Sequence, residues 1–582
     1  MKRVLFLLFC VAILLVAKAV PADPTPVQVT QPDGKTVTLK LVGDEFYHFT
    51  TTLDGYTVVN NQGRWEYATL KSNRLAPTGM LAHDAMHRSA EERAFVNALQ
   101  KSITDREAVT KARQDRAKRD SKLSSSKEPV VDYSTFRGLI VLINFTDKEF
   151  QMSGANEFYD SMMNTENYQG FNFDGNFNEC TGSVRDYFSD NSMGQFNPTF
   201  DVVGPVPVPY SVTQGGSQYS EIFRYALDLV DDYVDFSQYD SNNDDMIDMV
   251  FFLVAGYGAN YSGNSGNYLW PHMSYLYGYS PDYGWYYLMY DNKYMGRYAS
   301  SVEIYGWESF GDTMPNGIGT ICHEFSHVLG LPDLYDTNYA ENGQSDHPGG
   351  WDVMAGGSYG NIGRTPVGYS LWERWELGWT EPVEMSNGNH VMQPLDQSNA
   401  GLIMHSPVEE EFFLFENRQN NKWDSCLPGH GMLVTRVDYS DLDVWSANEV
   451  NCNAAHNYYE LLRAGGGQDE TAFPGPCEVT SLSATTTPAA LVTWAGVPCE
   501  GELTNITENA GIISFNFQGL NAGIIGDVTG EGDVDVSDVN AIINIILNKK
   551  TQDDYPGNAD ITGEGTIDVS DVNALINIIL NK

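Results

Sequence analysis

Apolar and polar residues alternate at period two through KTVTLKLVG (35–43), EFYHFTT (45–51) and GYTVVN (55–60), with Gly and Asn between them. That alternation predicts short strands joined by turns. A helical rhythm follows in DAMHRSAEERAFVNALQKSI (84–103). The pattern then lapses. TKARQDRAKRDSKLSSSKEP (110–129) is basic, polar and nearly free of apolar residues, so it reads as a mobile linker, open to trypsin-like cleavage at pairs such as Lys118-Arg119. Beyond it, FRGLIVLINF (136–145) and DMVFFLVAGYG (248–258) are continuous apolar runs, the mark of strands covered on both faces. TICHEFSHVLG (320–330) and TPVGYSLWERWELGW (365–379) read as helices. From 386 to 520 the rhythm is again short strands and turns, as in GLIMHS, EFFLFENR, GMLVTRVDY and GIISFNF. The C-terminal end repeats itself: GDVTGEGDVDVSDVNAIINIILNK (526–549) matches ADITGEGTIDVSDVNALINIILNK (559–582) almost residue for residue. Two copies are too few for a solenoid and fit a paired small module.

Strands mixed with helices predict an α+β chain, and 582 residues are too many for one core. The opening MKRVLFLLFCVAILLVAKAVPADP has a basic start, an apolar run and an A-x-A site ending at Ala19, so residues 1–19 read as a secretory signal. The run is short for a membrane span, and an exported, extracellular protein is expected, either free or attached to a cell surface. Residues 20–128 then form a pro-segment, 129–385 a catalytic domain, 386–520 a β-rich region and 525–582 the duplicated module. The net charge of −43 argues against a nucleic-acid partner, which needs a basic surface. Carboxylates gathered in particular loops point instead to calcium. Without Cys10 in the signal, six cysteines remain, at 180, 322, 426, 452, 477 and 499. An even number in an exported chain permits disulfides, with local bridges expected among the last four.

The sharpest chemistry lies in CHEFSHVLGLPDLYD (322–336), which holds two of only eleven histidines. His323 and His327, four apart on a helix, share one face and can hold one zinc ion. Glu324 stands beside the first ligand and can take a proton from a metal-bound water. Gly330 can end the helix in the left-handed conformation, letting the chain turn so that Asp333 returns as third ligand. A rival pattern is Gly356-Gly357-Ser358-Tyr359-Gly360, which matches G-x-S-x-G, but no clear strand precedes it and no helix former follows, as a serine nucleophile requires.

A second stretch, GGWDVMAGGSYG (349–360), puts Met354 in a tight Gly-rich turn about twenty residues after the ligands. With HEFSHVLGLPDLYD it resembles the secreted peptidases similar to immune inhibitor A. The likeness extends to GSVRDYFSDNSMGQFNP (182–198), LWPHMS (269–274) and LFENRQNNKWDSCLPGHGMLV (414–434). The resemblance implies a metzincin-like zinc endopeptidase made as a zymogen. It implies zinc on His323, His327 and Asp333, Glu324 as general base and then acid, and Met354 as structural support beneath the metal. Asp333 stands where the commonest metzincins have a third histidine, and His/His/Asp is a harder set that accepts other divalent ions too. Tyr359 and Tyr335 are candidates for oxyanion stabilisation. No cysteine lies between Ala19 and Cys180, which excludes a cysteine switch, so latency would need an aspartate, with Asp84 one option, or a backbone carbonyl at the open metal position.

The twin repeats place Asp527, Thr529, Glu531, the Asp533 backbone, Asp535 and Asp538 at calcium-loop positions 1, 3, 5, 7, 9 and 12, and Asp560, Thr562, Glu564, the Thr566 backbone, Asp568 and Asp571 likewise. Gly532 and Gly565 fall at position 6, where the turn is sharpest. This resembles the type I dockerin module, with Thr and Glu at positions 3 and 5 as departures. The resemblance implies a cohesin-type protein partner, with Ser537-Asp538 and Ser570-Asp571 as contact candidates. A further loop, YDSNNDDMID, gives Asp240, Asn242, Asp244, the Met246 backbone and Asp248 the same alternate spacing, a possible calcium site inside the catalytic domain. The alternative to an enzyme is a non-catalytic, calcium-dependent binding protein with a protease-like scaffold. The joint presence of His323, Glu324, His327 and Asp333 argues for the enzyme.

Overall fold

The computed structural model describes residues 20–111, 131–264, 266–280, 284–338, 345–519, 526–530, 533–555, 557, 559–562 and 565–580. The proposed signal, the linker at 112–130, Glu531, Gly532 and Glu564 lie outside the described residues.

The apolar run at 136–145 becomes the strand Arg137–Asn144, at the heart of a five-stranded sheet. Across that sheet the order is Thr199–Pro207, Arg137–Asn144, Val250–Tyr257, Arg297–Ile304 and Met273–Tyr275. The first four are parallel and the short Met273–Tyr275 edge runs antiparallel. Side chains of Arg137–Asn144 alternate between two cores. Ile140 and Leu142 join the helix Gly319–Val328, while Leu139, Val141 and Ile143 join the helix Gly215–Val230 on the other face. Helices on both faces explain why the strands carry no polar alternation.

The β-rich region contains a five-stranded sheet, from Val383–Glu384 through Leu402–His405, Glu411–Arg418 and Gly431–Asp438 to Tyr459–Leu461, and a four-stranded sheet that includes Glu502–Asn509 and Ile512–Gln518. Phe413, Phe415, Met432 and Val434 face Leu503, Ile513, Phe515 and Phe517 in a shared core. The alternate residues Phe412, Leu414, Leu433 and Val437 belong to the same cluster as Phe325 of the helix Gly319–Val328. The two regions are therefore joined by continuous apolar packing.

Residues 27–81 form a six-stranded antiparallel meander with its own small core of Val37, Leu39, Tyr56, Val58 and Tyr67. The helix expected over 84–103 shrinks to Ala90–Val96, behind a 3₁₀ turn at Ala85–His87. The reason is local. Ser89 caps the helix by accepting from the Glu92 amide, and Arg88 is drawn out of any helix by a paired contact with Asp54. The helix expected over 365–379 is likewise only Leu371–Glu376, capped by Ser370. Each C-terminal repeat gives the expected helix, Val536–Ile546 and Val569–Leu580. Among the described residues no disulfide joins the six cysteines, four of which are buried at separate places in the fold, so the expected local bridges do not form. No helix among the described residues is long and apolar enough to cross a membrane.

Candidate metal centre and cleft

Every residue of the helix Gly319–Val328 is buried. Phe325 anchors it, with ring centroids of Phe136, Phe188, Phe196 and Phe200 at 5.2, 4.7, 6.1 and 5.8 Å. Its start is pressed against the 356–359 turn, where a Cβ on Gly319 would meet Ser358 O at 1.8 Å. Its end is set by Gly330, at φ +113°, a conformation side chains resist. The chain then doubles back, and Asp333 arrives beside the two histidines as the spacing predicts.

His323 Nε2 lies 3.2 Å from His327 Nε2, and Asp333 Oδ1 lies 3.3 and 3.2 Å from the two. The opposite nitrogens fix the tautomers: His323 Nδ1 is 2.7 Å from Val353 O, and His327 Nδ1 is 2.8 Å from Leu331 O. A carbonyl only accepts, so each Nδ1 carries the proton and each Nε2 presents a lone pair. Asp333 Oδ1 is buried and makes no hydrogen bond. Three acceptor atoms thus converge in a buried interior, an arrangement that fits a bound divalent metal. Among the described residues this is the one group of three or more His, Cys, Asp or Glu whose ligand atoms all lie within 4.8 Å of one another.

The carbonyl that orients His323 belongs to Val353, next to the fully buried Met354, and Met354 O accepts from the Leu334 amide at 2.9 Å. The methionine turn therefore supports a ligand and the return loop together. Asn448, which sequence reasoning missed, grips Asp333 from both sides. Its Nδ2 donates to Asp333 Oδ2 at 2.6 Å and its Oδ1 accepts from the Asp333 amide at 2.7 Å. No motif marks it, because it comes from a loop 115 residues away.

Glu324 is wholly buried, and burial drives its carboxyl well above the ordinary value, with Asp333 and Glu45 adding in the same direction against the amides of Val20 and Met273. Its Oε1 accepts from the Val20 amide at 2.7 Å. The described start of the chain therefore lies in the cleft. Trp270 Nε1 donates to Val20 O at 2.8 Å and Tyr359 Oη donates to Pro21 O at 2.6 Å. Asp84 is elsewhere, accepting from the Thr38 amide and the Thr36 hydroxyl within its own sheet. Among the described residues the buried Ser358 Oγ has no hydrogen-bond partner, and so no base to activate it.

In the 240–248 loop, Asp240 and Asp248 are buried, and Lys293 Nζ stands 2.7 Å from Asp240 Oδ2 and 2.9 Å from Asp245 Oδ1. Asn242 Nδ2 donates to Asp244 Oδ2 at 3.2 Å, and the Met246 amide donates to Asp244 Oδ1 at 2.9 Å. A lysine ammonium already occupies part of the space a cation would take. In the C-terminal repeats, Asp538 Oδ1 accepts from the Thr529 amide at 2.8 Å and Asp571 Oδ1 from the Thr562 amide at 3.0 Å. Asp535 and Asp568 amides donate to the other oxygens, each at 2.9 Å. Asp527 accepts from the Gly530 amide and Asp560 from the Gly565 amide, both at 2.7 Å. The contacts to Asp538 and Asp571 match between the two loops, while Gly530 and Gly565 stand at different loop positions, and each loop leads into a helix.

Residues 133–376 match the family model described as the immune inhibitor A peptidase M6 catalytic domain, and residues 525–580 match the type I dockerin domain. The chain carries a catalytic domain of the M6 metallopeptidase family and a dockerin. Among curated relatives, Pre-pro-metalloprotease PrtV of Vibrio cholerae serotype O1 is 29% identical over 126 residues, covering 17% of this chain and 14% of that protein. Immune inhibitor A of Bacillus thuringiensis subsp. alesti is 46% identical over 55 residues, 9% of this chain and 8% of that one. The aligned stretches therefore span less than a sixth of either relative.

Proposed function

We propose that the protein is an exported, zinc-dependent endopeptidase that cleaves extracellular proteins, made in latent form and docked to a partner through its C-terminal module. The observation that carries this reading is the convergence of His323 Nε2, His327 Nε2 and Asp333 Oδ1 within 3.3 Å of one another, with the Glu324 carboxyl beside them. Those three residues would hold a zinc ion, which would supply Lewis acidity toward a water molecule and the peptide carbonyl. Glu324 accepts the proton of the water and returns it to the nitrogen of the departing amine. Val353 and Leu331 keep both imidazoles turned so that Nε2 faces the site, and Asn448 holds Asp333.

Latency is supported by the backbone of Val20 on Glu324, which denies that carboxyl to a substrate. Cleavage in the linker at 110–129 would untether this segment. The metzincin-like assignment is supported by the antiparallel edge strand Met273–Tyr275 beside Glu324 and by the Met354 turn. Cohesin docking and calcium in the paired loops rest on the dockerin match and the duplicated loop geometry.

The reading is tested by metal analysis of the full chain. One zinc per chain, lost with casein cleavage on treatment with a zinc-selective chelator and restored with it on adding zinc, is the expected result. Full cleavage by zinc-free protein contradicts the reading.

A further inference from the structure

The cleft already holds a short peptide, residues 20–23 of the chain itself. Val20 N–H donates to Glu324 Oε1 at 2.7 Å, Val20 O accepts from Trp270 Nε1 at 2.8 Å and Pro21 O accepts from Tyr359 Oη at 2.6 Å. Farther along, the Asp23 amide donates to Asn260 O at 2.9 Å. Pro21 has no N–H to offer, and the Ala22 amide bonds Gly43 O, at the end of the strand Thr36–Gly43 in the N-terminal sheet. The catalytic region thus grips this stretch through two donors to successive carbonyls and one acceptor beyond them. Asn260 Nδ2 in turn donates to Tyr359 Oη at 3.1 Å, which occupies the phenol oxygen and leaves its proton for the carbonyl.

The direction of this peptide follows from the chemistry of the base. A carboxyl that takes a proton from water must deliver it to the nitrogen of the leaving amine. The backbone nitrogen in contact with Glu324 therefore marks where that nitrogen sits, and it is the nitrogen of Val20. The chain from Val20 to Asp23 then runs as the departing half of a substrate does. The Val20 side chain is 0% exposed and joins an apolar cluster that includes Leu269, Trp270 and Tyr359.

We infer that this enzyme cuts before a valine-sized aliphatic residue, with Trp270 Nε1 and Tyr359 Oη holding the first and second carbonyls after the scissile bond. The inference rests on the metallopeptidase reading above and adds to it a substrate class and two binding residues. It also assigns Tyr359 to binding the departing half, where the sequence alone left open a role at the oxyanion. Pro21, which has no N–H, stands at the second position of this stretch, so proline is accepted there.

The test uses the full chain after limited trypsin cleavage in the basic linker, with trypsin then blocked by a serine-protease inhibitor. Quenched fluorescent peptides of the form Gly-Ala-Ala-X-Pro-Ala-Asp, with X as Val, Ala, Asp or Trp, are supplied, and the cut is located by mass spectrometry. The expected cut is before X, with kcat/KM for Val at least ~10-fold above that for Ala, Asp or Trp, since small changes of fit in an apolar pocket discriminate by roughly 10- to 200-fold. Tyr359→Phe is expected to lower kcat/KM for peptides with three residues after the cut by about 10-fold relative to peptides ending in the X amide, and the Trp270→Phe enzyme is expected to show a raised KM on both. Equal rates for all four X residues overturn the pocket. An equal loss of kcat on long and short peptides in Tyr359→Phe overturns the carbonyl assignment and places the phenol at the oxyanion. Zinc-loaded enzyme that cleaves neither these peptides nor casein refutes the peptidase reading itself, so the two failures are distinct.

Discussion

Asp333 divides its carboxylate between two tasks: Oδ1 faces the histidines and Oδ2 is held by Asn448 at 2.6 Å. Partners that orient metal ligands typically contribute 10- to 100-fold in metal affinity. Asn448→Ala is therefore expected to weaken zinc binding by about that factor, measured by competition with a chromophoric chelator, while the fold melts cooperatively as before. A pH effect belongs to Asp352, beneath the methionine turn. Burial, with the charge of Glu416 adding, pushes its carboxyl from 3.8 up to about 6, while the Met354 amide on Oδ1, a hydrogen bond with the buried Glu373 carboxyl and the charge of Arg418 pull it down. The folded protein thus keeps a proton that the unfolded chain loses near pH 4. The stability contributed by protonated Asp352 is full below about pH 4 and is lost as pH rises through about 6. Asp352→Asn keeps that position neutral, so its melting temperature is expected to vary less than wild type between pH 4 and 7 in thermal denaturation. A wild-type curve no steeper than the variant's over that window contradicts this assignment.

The helix Gly319–Val328 was legible because its chemistry is local: histidines four apart, a glutamate beside one, and a glycine that ends the helix. The strands Arg137–Asn144 and Val250–Tyr257 were legible because burial on both faces leaves a plain apolar run. What the pattern missed was set by distant partners. Arg88 leaves the helical path for Asp54, so most of the helix expected over 84–103 is absent. Trp270 meets a carbonyl 250 residues earlier, and Asn448 an aspartate 115 residues earlier, and no window of sequence contains both ends. At this scale the clearest test is Phe325, held among four phenylalanine rings and 0% exposed. Phe325→Ala is expected to cost about 3–5 kcal/mol in denaturant unfolding. A cost under about 1 kcal/mol would mean that the helix is not anchored by this cluster.

Across the whole molecule, the site is assembled from three parts of the chain that continuous packing holds together. The ligand helix shares its core with Phe412, Leu414, Leu433 and Val437 of the β-rich region, and the N-terminal segment enters the cleft at Val20. The C-terminal repeats form a separate small core around Val528, Ala541, Ile542 and Leu575. On the proposed reading, calcium organises that small core alone. A calcium-selective chelator is expected to reduce far-ultraviolet helicity by the share of the two C-terminal helices and to abolish binding to a cohesin, while zinc content is unchanged. Retention of both helicity and binding counts against calcium in these loops.

The central claim is that Glu324 carries protons at a zinc site built by His323, His327 and Asp333. The most direct measurement is casein hydrolysis by the processed Glu324→Gln protein whose zinc content equals that of wild type. The account predicts a rate lower by at least ~10² with metal undiminished. Wild-type hydrolysis by that zinc-loaded variant contradicts it.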